Sequence, residues 1–356
     1  MLAYILSNED LTIKDVLNFE EYEFSTDIDF SNKSSIVVTR KPNVATNDFV
    51  WCSDDGTTAF VGICEDYSAD QDSNSYTITL LQKENLFDRQ IFLTNESIKS
   101  GTGIEDFIAN QISTNWISSG DSMTDMAYMT ATAVTHTPVS ASVASNANVE
   151  NGIYNLKTYI GNCQQYYRLY MDFVFNTVND TLDVRISVKS DATLSLDATL
   201  SDIANYEETY EVNVLAKLNV AWTVSEGATP TYRTYYLRSD HTITTSVNDP
   251  LRVFGDCRAV AIQAETETDM VQQATNEFAG NRYNHKISFA LRKESKLYSV
   301  SDYYVGRLVQ FKTKSGIKSS IITAIRTSSD SGFLNMTFGK LKVTLVEKLR
   351  SIYNGT

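Results

Sequence analysis

The chain has 356 residues, of which 42% are hydrophobic and 21% are charged. These values are typical of soluble globular proteins, and the length predicts roughly two to four domains. The net charge of −14 excludes non-specific binding to nucleic-acid phosphates, which requires a cationic surface. No apolar run approaches the ~20 residues that span a bilayer, and no basic segment of a signal peptide follows Met1, so we expect neither a membrane span nor a leader.

Residues 1–95 are predicted to form a first β-barrel of about six short strands. The Asp55–Gly56 pair between the apolar runs 49–51 and 59–63 indicates a tight hairpin. Apolar side chains then alternate with threonine over 76–80, which is typical of a half-buried strand.

Residues 96–200 are predicted to form an α+β domain with an extended loop. Apolar residues recur at helical spacing over 104–112, and Glu105 and Asp106 occupy the first turn, where the helix dipole favours acidic groups. Residues 119–150 are rich in Ser, Thr and Ala and almost free of charge, which indicates the loop.

The same domain is predicted to continue with a second helix and a hairpin. Apolar positions from Leu156 to Tyr167 share one helical face. Strands are expected at 170–175 and 182–188, with a turn at Asn176–Asp180 between them. Helix, strand, turn and strand together make a small α+β unit.

Residues 201–265 are predicted to form a β subdomain, and 266–356 a helix followed by a closing β-barrel. The strands of the subdomain are expected at 210–214, 218–222, 231–237 and 258–263. The helix Asp269–Phe278 should end near Gly280, a residue that suits a C-terminal cap. The residues expected to point inward from this helix are Val271, Ala274, Thr275 and Phe278.

Two patterns predict the strands of the closing barrel. Val305, Leu308 and Phe311 mark an apolar face that is broken by Gly306. Leucine and valine then alternate with polar residues over 341–346. Short strands at close spacing favour a small antiparallel barrel.

Three short motifs carry a resemblance to a known family. A tyrosine-rich lead-in at 297–304 precedes the Val-Gly-x-x-Val strand at 305–309. A helix that ends near Tyr166–Tyr167 is followed by the strand pattern 170–173, with Asp172 and Phe173, and a later strand ends at Tyr235-Tyr236-Leu237. In this order the elements resemble phage tail hub proteins: the hubs of siphophage tail tips, the N-terminal hub part of tail-associated lysins, and the central hub of contractile-tail baseplates.

The resemblance implies a mainly β fold with two small barrels and inserted α+β and β subdomains. It also implies a homotrimeric ring in which six barrels alternate, so that a hexameric tail tube is adapted to a trimeric tip. Expected partners are the distal tail protein, the tail tube, the tape measure and receptor-binding proteins. The expected location is the virion tail tip, after synthesis in the host cytoplasm, with roles in host attachment and in DNA ejection through the channel.

The same resemblance bears on catalysis. Many relatives carry a peptidase or lysozyme domain after the hub, whereas this chain stops at Thr356, shortly after the last predicted strand. We therefore expect a structural protein without enzymatic activity.

Charge is distributed unevenly along the chain. Residues 1–95 contain 17 acidic and 6 basic residues, a net charge of −11. Residues 281–356 contain 14 basic and 4 acidic residues, a net charge of +10. We expect the acidic first barrel of one protomer to meet the basic closing barrel of the next, with Lys312, Lys314 and Lys318 in the interface.

No motif indicates a cofactor or a metal. The chain has no P-loop, dinucleotide fingerprint or Gly-x-Ser-x-Gly elbow, and its three histidines lie in separate segments. The four cysteines lack zinc-module spacing and are expected to be free thiols, with a Cys52–Cys64 bridge as the alternative.

Two other functions remain open at this point. Twenty tyrosines and three tryptophans would suit a carbohydrate-binding adhesin, although aromatic residues also fill barrel cores. Acidic pairs such as Glu207 and Glu208 would suit a cell-wall hydrolase, although such pairs are more often solvated.

Overall fold

A computed structural model describes residues 1–70, 72, 74–93, 103–137, 152–210, 215–238, 242–279, 285–299, 302–313 and 316–339. The chain forms two compact units. The first comprises Met1–Asn205 and Phe289–Thr337, and the second comprises Tyr206–Ser288 and Phe338–Thr356. The four domain ranges drawn from the sequence stay predictions.

Strands account for 51% of the described residues, which confirms the predicted mainly β fold with a smaller α+β part. The helices are α1 (Ile104–Ile112), α2 (Leu156–Tyr167) and α3 (Glu267–Ala279). The strands are β1 (Leu2–Leu6), β2 (Ile13–Asp27), β3 (Ser34–Val38), β4 (Phe49–Asp54), β5 (Thr57–Asp70), β6 (Ser75–Gln82), β7 (Gln90–Leu93), β8 (Met129–Ala133), β9 (Gly152–Asn155), β10 (Leu169–Asn176), β11 (Thr181–Val188), β12 (Leu194–Asp197), β13 (Ile203–Tyr210), β14 (Leu215–Thr223), β15 (Thr231–Leu237), β16 (Ile243–Thr244), β17 (Asp256–Gln263), β18 (His285–Arg292), β19 (Leu308–Thr313), β20 (Gly316–Ser328) and β21 (Phe333–Gly339). Among the described residues, no helix has both the length and the apolar character that a membrane crossing needs.

The first six strands close into a ring. Their order is β1-β4-β5-β6-β3-β2, and pairing of β1 with β2 completes the circle. Ile36, Ile78 and Leu80 are fully buried in the core of this barrel, as the alternation over 76–80 predicted. The hairpin between β4 and β5 turns at Asp55 and Gly56, which have φ values of 46° and 81°. Positive φ at both central residues is the requirement of a type I′ turn, and Asp-Gly meets it at low cost.

A second group of six strands, called the second barrel, repeats this strand order later in the chain. Its order is β12-β19-β20-β21-β18-β13. When the strands of each group are numbered along the chain, both groups follow the order first, fourth, fifth, sixth, third, second. One difference is that β12 lies parallel to β19, whereas β1 lies antiparallel to β4.

Strand β20 joins the two groups into one sheet. Its first half, 316–321, pairs with β19, and its second half, Ala324–Ser328, pairs antiparallel with Glu23–Asp27 of β2. In β19, Val309 and Phe311 are fully buried and Leu308 is only partly buried. The prediction that Leu308 shares the face of Phe311 is wrong, because side chains three residues apart in a strand point to opposite faces. The alternation predicted over 341–346 lies outside the described residues.

The α+β part lies between the two groups of strands. Asn155 caps the start of helix α2. Its side chain accepts a hydrogen bond of 3.1 Å from the Thr158 amide, which satisfies an otherwise unpaired N–H. Strands β10 and β11 form the predicted hairpin, and β8 lies parallel to β11. Part of the predicted loop 119–150 is therefore a strand, and residues 138–150 lie outside the described ranges.

The second unit contains a four-stranded sheet with the order β16-β15-β14-β17 and helix α3. Met270, Ala274 and Phe278 of α3 are buried in one core with Leu218 and Val220 of β14. The inward face of the helix is therefore centred on Met270, Ala274 and Phe278, with Val271 only partly buried at its margin. Tyr210, the first residue of the predicted strand 210–214, is the last residue of β13; residues 211–214 and the predicted cap at Gly280 lie outside the described residues.

We expect Gly161→Ala to destabilise the first unit. A Cβ at this position of α2 would lie 2.9 Å from the Ile28 carbonyl oxygen and 3.3 Å from the Phe30 ring. Helix propensity alone favours alanine by about 1 kcal/mol, but the clash with backbone should outweigh this and lower the free energy of unfolding by about 1–3 kcal/mol. Urea denaturation measures the difference. Gly332→Ala, which meets nothing within 4 Å, is the matched control and should be nearly neutral. A more stable Gly161→Ala protein would contradict the close helix–backbone contact.

Candidate assembly interface

The residues with catalytic potential do not converge in the part of the chain that is described. His136 is exposed, and its Nδ1 lies 2.7 Å from Asp106 Oδ1. His241 and the side chain of His285 lie outside the described residues. No group of three or more His, Cys, Asp or Glu side chains within the described ranges is arranged to hold a metal ion.

The four cysteines are free thiols, as predicted. Cys52 lies opposite Phe60 and Cys64 opposite Leu80, so the alternative Cys52–Cys64 bridge does not form. Burial raises the pKa of Cys52 and raises the pKa of Cys64 and of Cys163 to about 12. These three thiols stay protonated near neutral pH and are poor nucleophiles. Cys257 is the exposed one.

We expect one fast-reacting thiol in the folded protein. With an aromatic disulfide reagent at pH 8, Cys257 should react quickly, because the other three thiols are buried and protonated. All four should react in denaturant, and Cys257→Ser should remove the fast phase. A fast phase of more than one thiol in the native protein would show that a barrel or helix core is open.

The three lysines predicted at the interface lie on or near the β19–β20 hairpin. Lys312 belongs to β19; its side chain is 70% exposed, and its Nζ lies 3.1 Å from Asp197 Oδ2. Hydrogen bonds from Thr199, and then Lys312, lower the pKa of Asp197 to about 2. Lys318 lies on β20 opposite Phe311. The Lys318 side chain and the whole of Lys314 lie outside the described residues.

Acidic and basic groups of the two barrels already meet inside one chain. Arg326 of β20 contacts Glu23 of β2, with 2.5 Å between Nη2 and Oε2. The two side chains are 60% and 37% exposed, so the pair contributes about 0–1 kcal/mol to stability. The sequence analysis missed this contact, because only the register of β2 on β20 brings residues 303 positions apart together.

A polar groove runs along this junction. It has a volume of about 320 Å³, and both charged and neutral polar side chains line it. Its lining includes Glu23, Asn32, Lys33, Arg326 and Asn335. Such a surface suits polar contacts better than an apolar ligand.

The Val-Gly motif of the closing barrel has a structural role. Gly306 has a φ of 94°, a conformation that side-chain-bearing residues rarely adopt, and its amide donates a 2.8 Å hydrogen bond to the Ile322 carbonyl. The Gln164 side chain of α2 donates a 3.2 Å hydrogen bond to the Val305 carbonyl. The motif therefore anchors the closing barrel on helix α2.

The tyrosines before this motif also make structural contacts. The Tyr304 hydroxyl donates a hydrogen bond to Asp191, and Arg307 lies 2.6 Å from the same carboxylate. These two groups lower the pKa of Asp191. The Tyr304 ring packs edge-on against Tyr170 at 5.6 Å between centroids, and Lys189 lies 4.5 Å from the Tyr170 centroid. Tyrosines from two sequence motifs thus form one cluster.

Comparisons with known structures identify the class of fold. A tail protein from Neisseria meningitidis MC58 aligns over 99% of each chain, with a TM-score of 0.56 and 11% identity. The 43 kDa tail protein of prophage MuSo2 from Shewanella oneidensis aligns over 96% of this chain and 98% of its own, with a TM-score of 0.54 and 10% identity. A chain of the phage P2 baseplate in its activated conformation aligns over 95% and 98%, with a TM-score of 0.51 and 11% identity.

The chain therefore has the fold of phage tail and baseplate proteins, and the predicted resemblance is confirmed at the level of the fold. No protein-family model matches the sequence, and no curated protein sequence matches it.

Proposed function

We propose that this protein is a structural hub of a phage tail tip or baseplate. The observation that carries the proposal is the similarity of fold to tail and baseplate proteins over 95–99% of the chain, at TM-scores of 0.51–0.56. A match over the whole length indicates a shared architecture of several parts, which a chance likeness of one small barrel would not give.

We further propose that three copies form a ring. Each chain carries two groups of six strands with the same order, joined edge to edge through β2 and β20. Three chains would then supply six similar barrels, the number needed to match a hexameric tail tube. Closing such a ring requires a heterologous interface, in which the last barrel of one copy meets the first barrel of the next.

The proposed hub would contact the distal tail protein, the tail tube, the tape measure and receptor-binding proteins in the virion. Its channel would let DNA pass during ejection, and host attachment would depend on the components it anchors. We propose that it has no catalytic activity.

The oligomeric state tests the ring directly. The purified protein should have the mass of three chains of 39.9 kDa each by light scattering, and negative-stain images should show a ring with a hole. A monomer at every concentration, in the presence of its tail tube as well as alone, would contradict the proposed hub.

The lysines on or near the β19–β20 hairpin are proposed to face the acidic first barrel of the neighbouring copy. Reversing Lys312, Lys314 and Lys318 together to Glu should weaken association, because like charges then face each other across the interface. A control with three reversals elsewhere, Lys41→Glu, Arg233→Glu and Lys296→Glu, gives the same net charge at exposed positions.

Sedimentation over a range of protein concentrations measures the effect. The hairpin variant should need a higher concentration to assemble than the control, while both keep the thermal stability of the folded monomer. Equal assembly of the two variants would place the hairpin outside the interface.

A further inference from the structure

One stretch of the first barrel has a strand on only one side. Asp66–Ala69 of β5 pairs with β6, and the pairing of β4 with β5 ends at Ile63. Within the residues that the structure describes, no strand lies on the other side of this stretch. Its four side chains are all exposed. An uncovered edge of this kind offers backbone donors and acceptors to another strand.

The second barrel shows which kind of strand can pair with such an edge. By position in the common strand order, β5 corresponds to β20 and β2 corresponds to β13. Ile63 lies opposite the first residue of β4, as Ile321 lies opposite the first residue of β19. Counting onward from these two residues, Asp66–Ala69 corresponds to 324–327, and that part of β20 is occupied by β2 of the same chain.

Two hydrogen bonds fix which backbone groups face the occupied edge. The Ser329 amide donates to the Tyr22 carbonyl, and the Ile28 amide donates to the Thr323 carbonyl, both at 3.0 Å. Alternate residues of a strand send their backbone groups to the same side, so 325 and 327 also face β2. The corresponding residues of β5 are Tyr67 and Ala69, whose amides and carbonyls therefore face the uncovered edge.

The counterpart of β2 is also at an edge. Strand β13 ends the strand order of the second barrel and has one neighbour, β18, among the described strands. β2 and β13 share a local sequence pattern as well: Asn18-Phe-Glu-Glu21 in the first and Asn205-Tyr-Glu-Glu208 in the second. The two strands are thus similar in position in the strand order and in sequence.

We propose that the edge Asp66–Ala69 of β5 pairs antiparallel with β13 of a second copy of this chain. The pairing would repeat between copies the contact that β2 and β20 make within one copy, and it rests on the proposed ring. Asp66 and Glu207 bring carboxylates to the two edges, and charged edges resist indiscriminate pairing. The β13 strand must therefore be aligned by the rest of the barrel interface, which gives the contact its specificity.

A proline substitution tests the edge. Ala69→Pro removes an amide that faces outward, so it should leave the β5–β6 ladder and the folded monomer intact while blocking the new pairing. Ala69→Thr keeps the amide and is the matched control. Loss of this hydrogen bond in every interface should raise the protein concentration at half-assembly by at least about tenfold for proline and leave it unchanged for threonine.

Hydrogen exchange on the wild-type chain supplies the second measurement. The amides of Tyr67 and Ala69 should exchange quickly in dilute monomer and slowly in the oligomer, whereas those of Asp66 and Ser68, which face β6, should be protected in both. An oligomer that forms equally well with Ala69→Pro, and leaves Tyr67 and Ala69 unprotected, overturns the pairing but not the hub. A wild-type chain that never associates overturns both.

Discussion

The pairing of β2 with β20 is the contact on which the rest of the first unit depends. One 15-residue strand belongs to the first barrel as far as Glu23 and then continues as a neighbour of β20 over Glu23–Asp27. At the crossing point, Phe24 is buried in the first barrel and stacks on Phe60 at 4.6 Å. Because side chains alternate along a strand, a shift of one residue on β20 would turn Phe24 out of the core. The position of the second barrel is therefore tied to the packing of the first.

The continuation of the same strand fixes the α+β part. Ile28 and Phe30 follow directly after β2 and are buried, and Gly161 brings helix α2 close to this segment. The helix in turn holds Val305 through Gln164, at the start of the closing barrel. A chain of contacts thus runs from β2 through α2 to the Val-Gly motif. The motif is explained by this packing and by the positive φ of Gly306, without any catalytic role.

Much of the local structure could be predicted from the sequence, because its causes are local. The Asp55–Gly56 turn and the alternation in β6 follow from backbone preferences and from burial on one face. The face of β19 was misjudged because Val305, Leu308 and Phe311 are spaced three apart, a helical interval in a segment that is partly strand. The predicted inward face of α3 included Val271, whereas the structure buries Met270. Both residues are apolar, so only the packing against the core around Leu218 decides which of them is buried.

The relation between the two barrels could not be predicted, because its causes are long-range. The second barrel takes β12 and β13 from residues 194–210 and β18–β21 from residues 285–339, so no continuous stretch of sequence contains its pattern. The charge counts also could not predict which charged residues meet. They indicated an acidic and a basic end, but they sum over all faces of a barrel. Glu23 and Arg326 form a pair within one chain, and Lys312 pairs with Asp197 of β12 within the second barrel.

The difference between the two barrels gives the proposed ring its threefold character. In the first barrel, the connection between β2 and β3 is the short segment 28–33, whereas the equivalent connection between β13 and β18 spans 211–284 and contains most of the second unit. A long insertion at this connection leaves the strand order of the barrel unchanged, because loop closure becomes only slowly more costly with length. Six barrels of one strand order would suit a sixfold partner, while three copies of the insertion would suit a threefold one. In the proposed ring, a single chain with two similar barrels and one such insertion would supply both symmetries, which a chain with one barrel could not do.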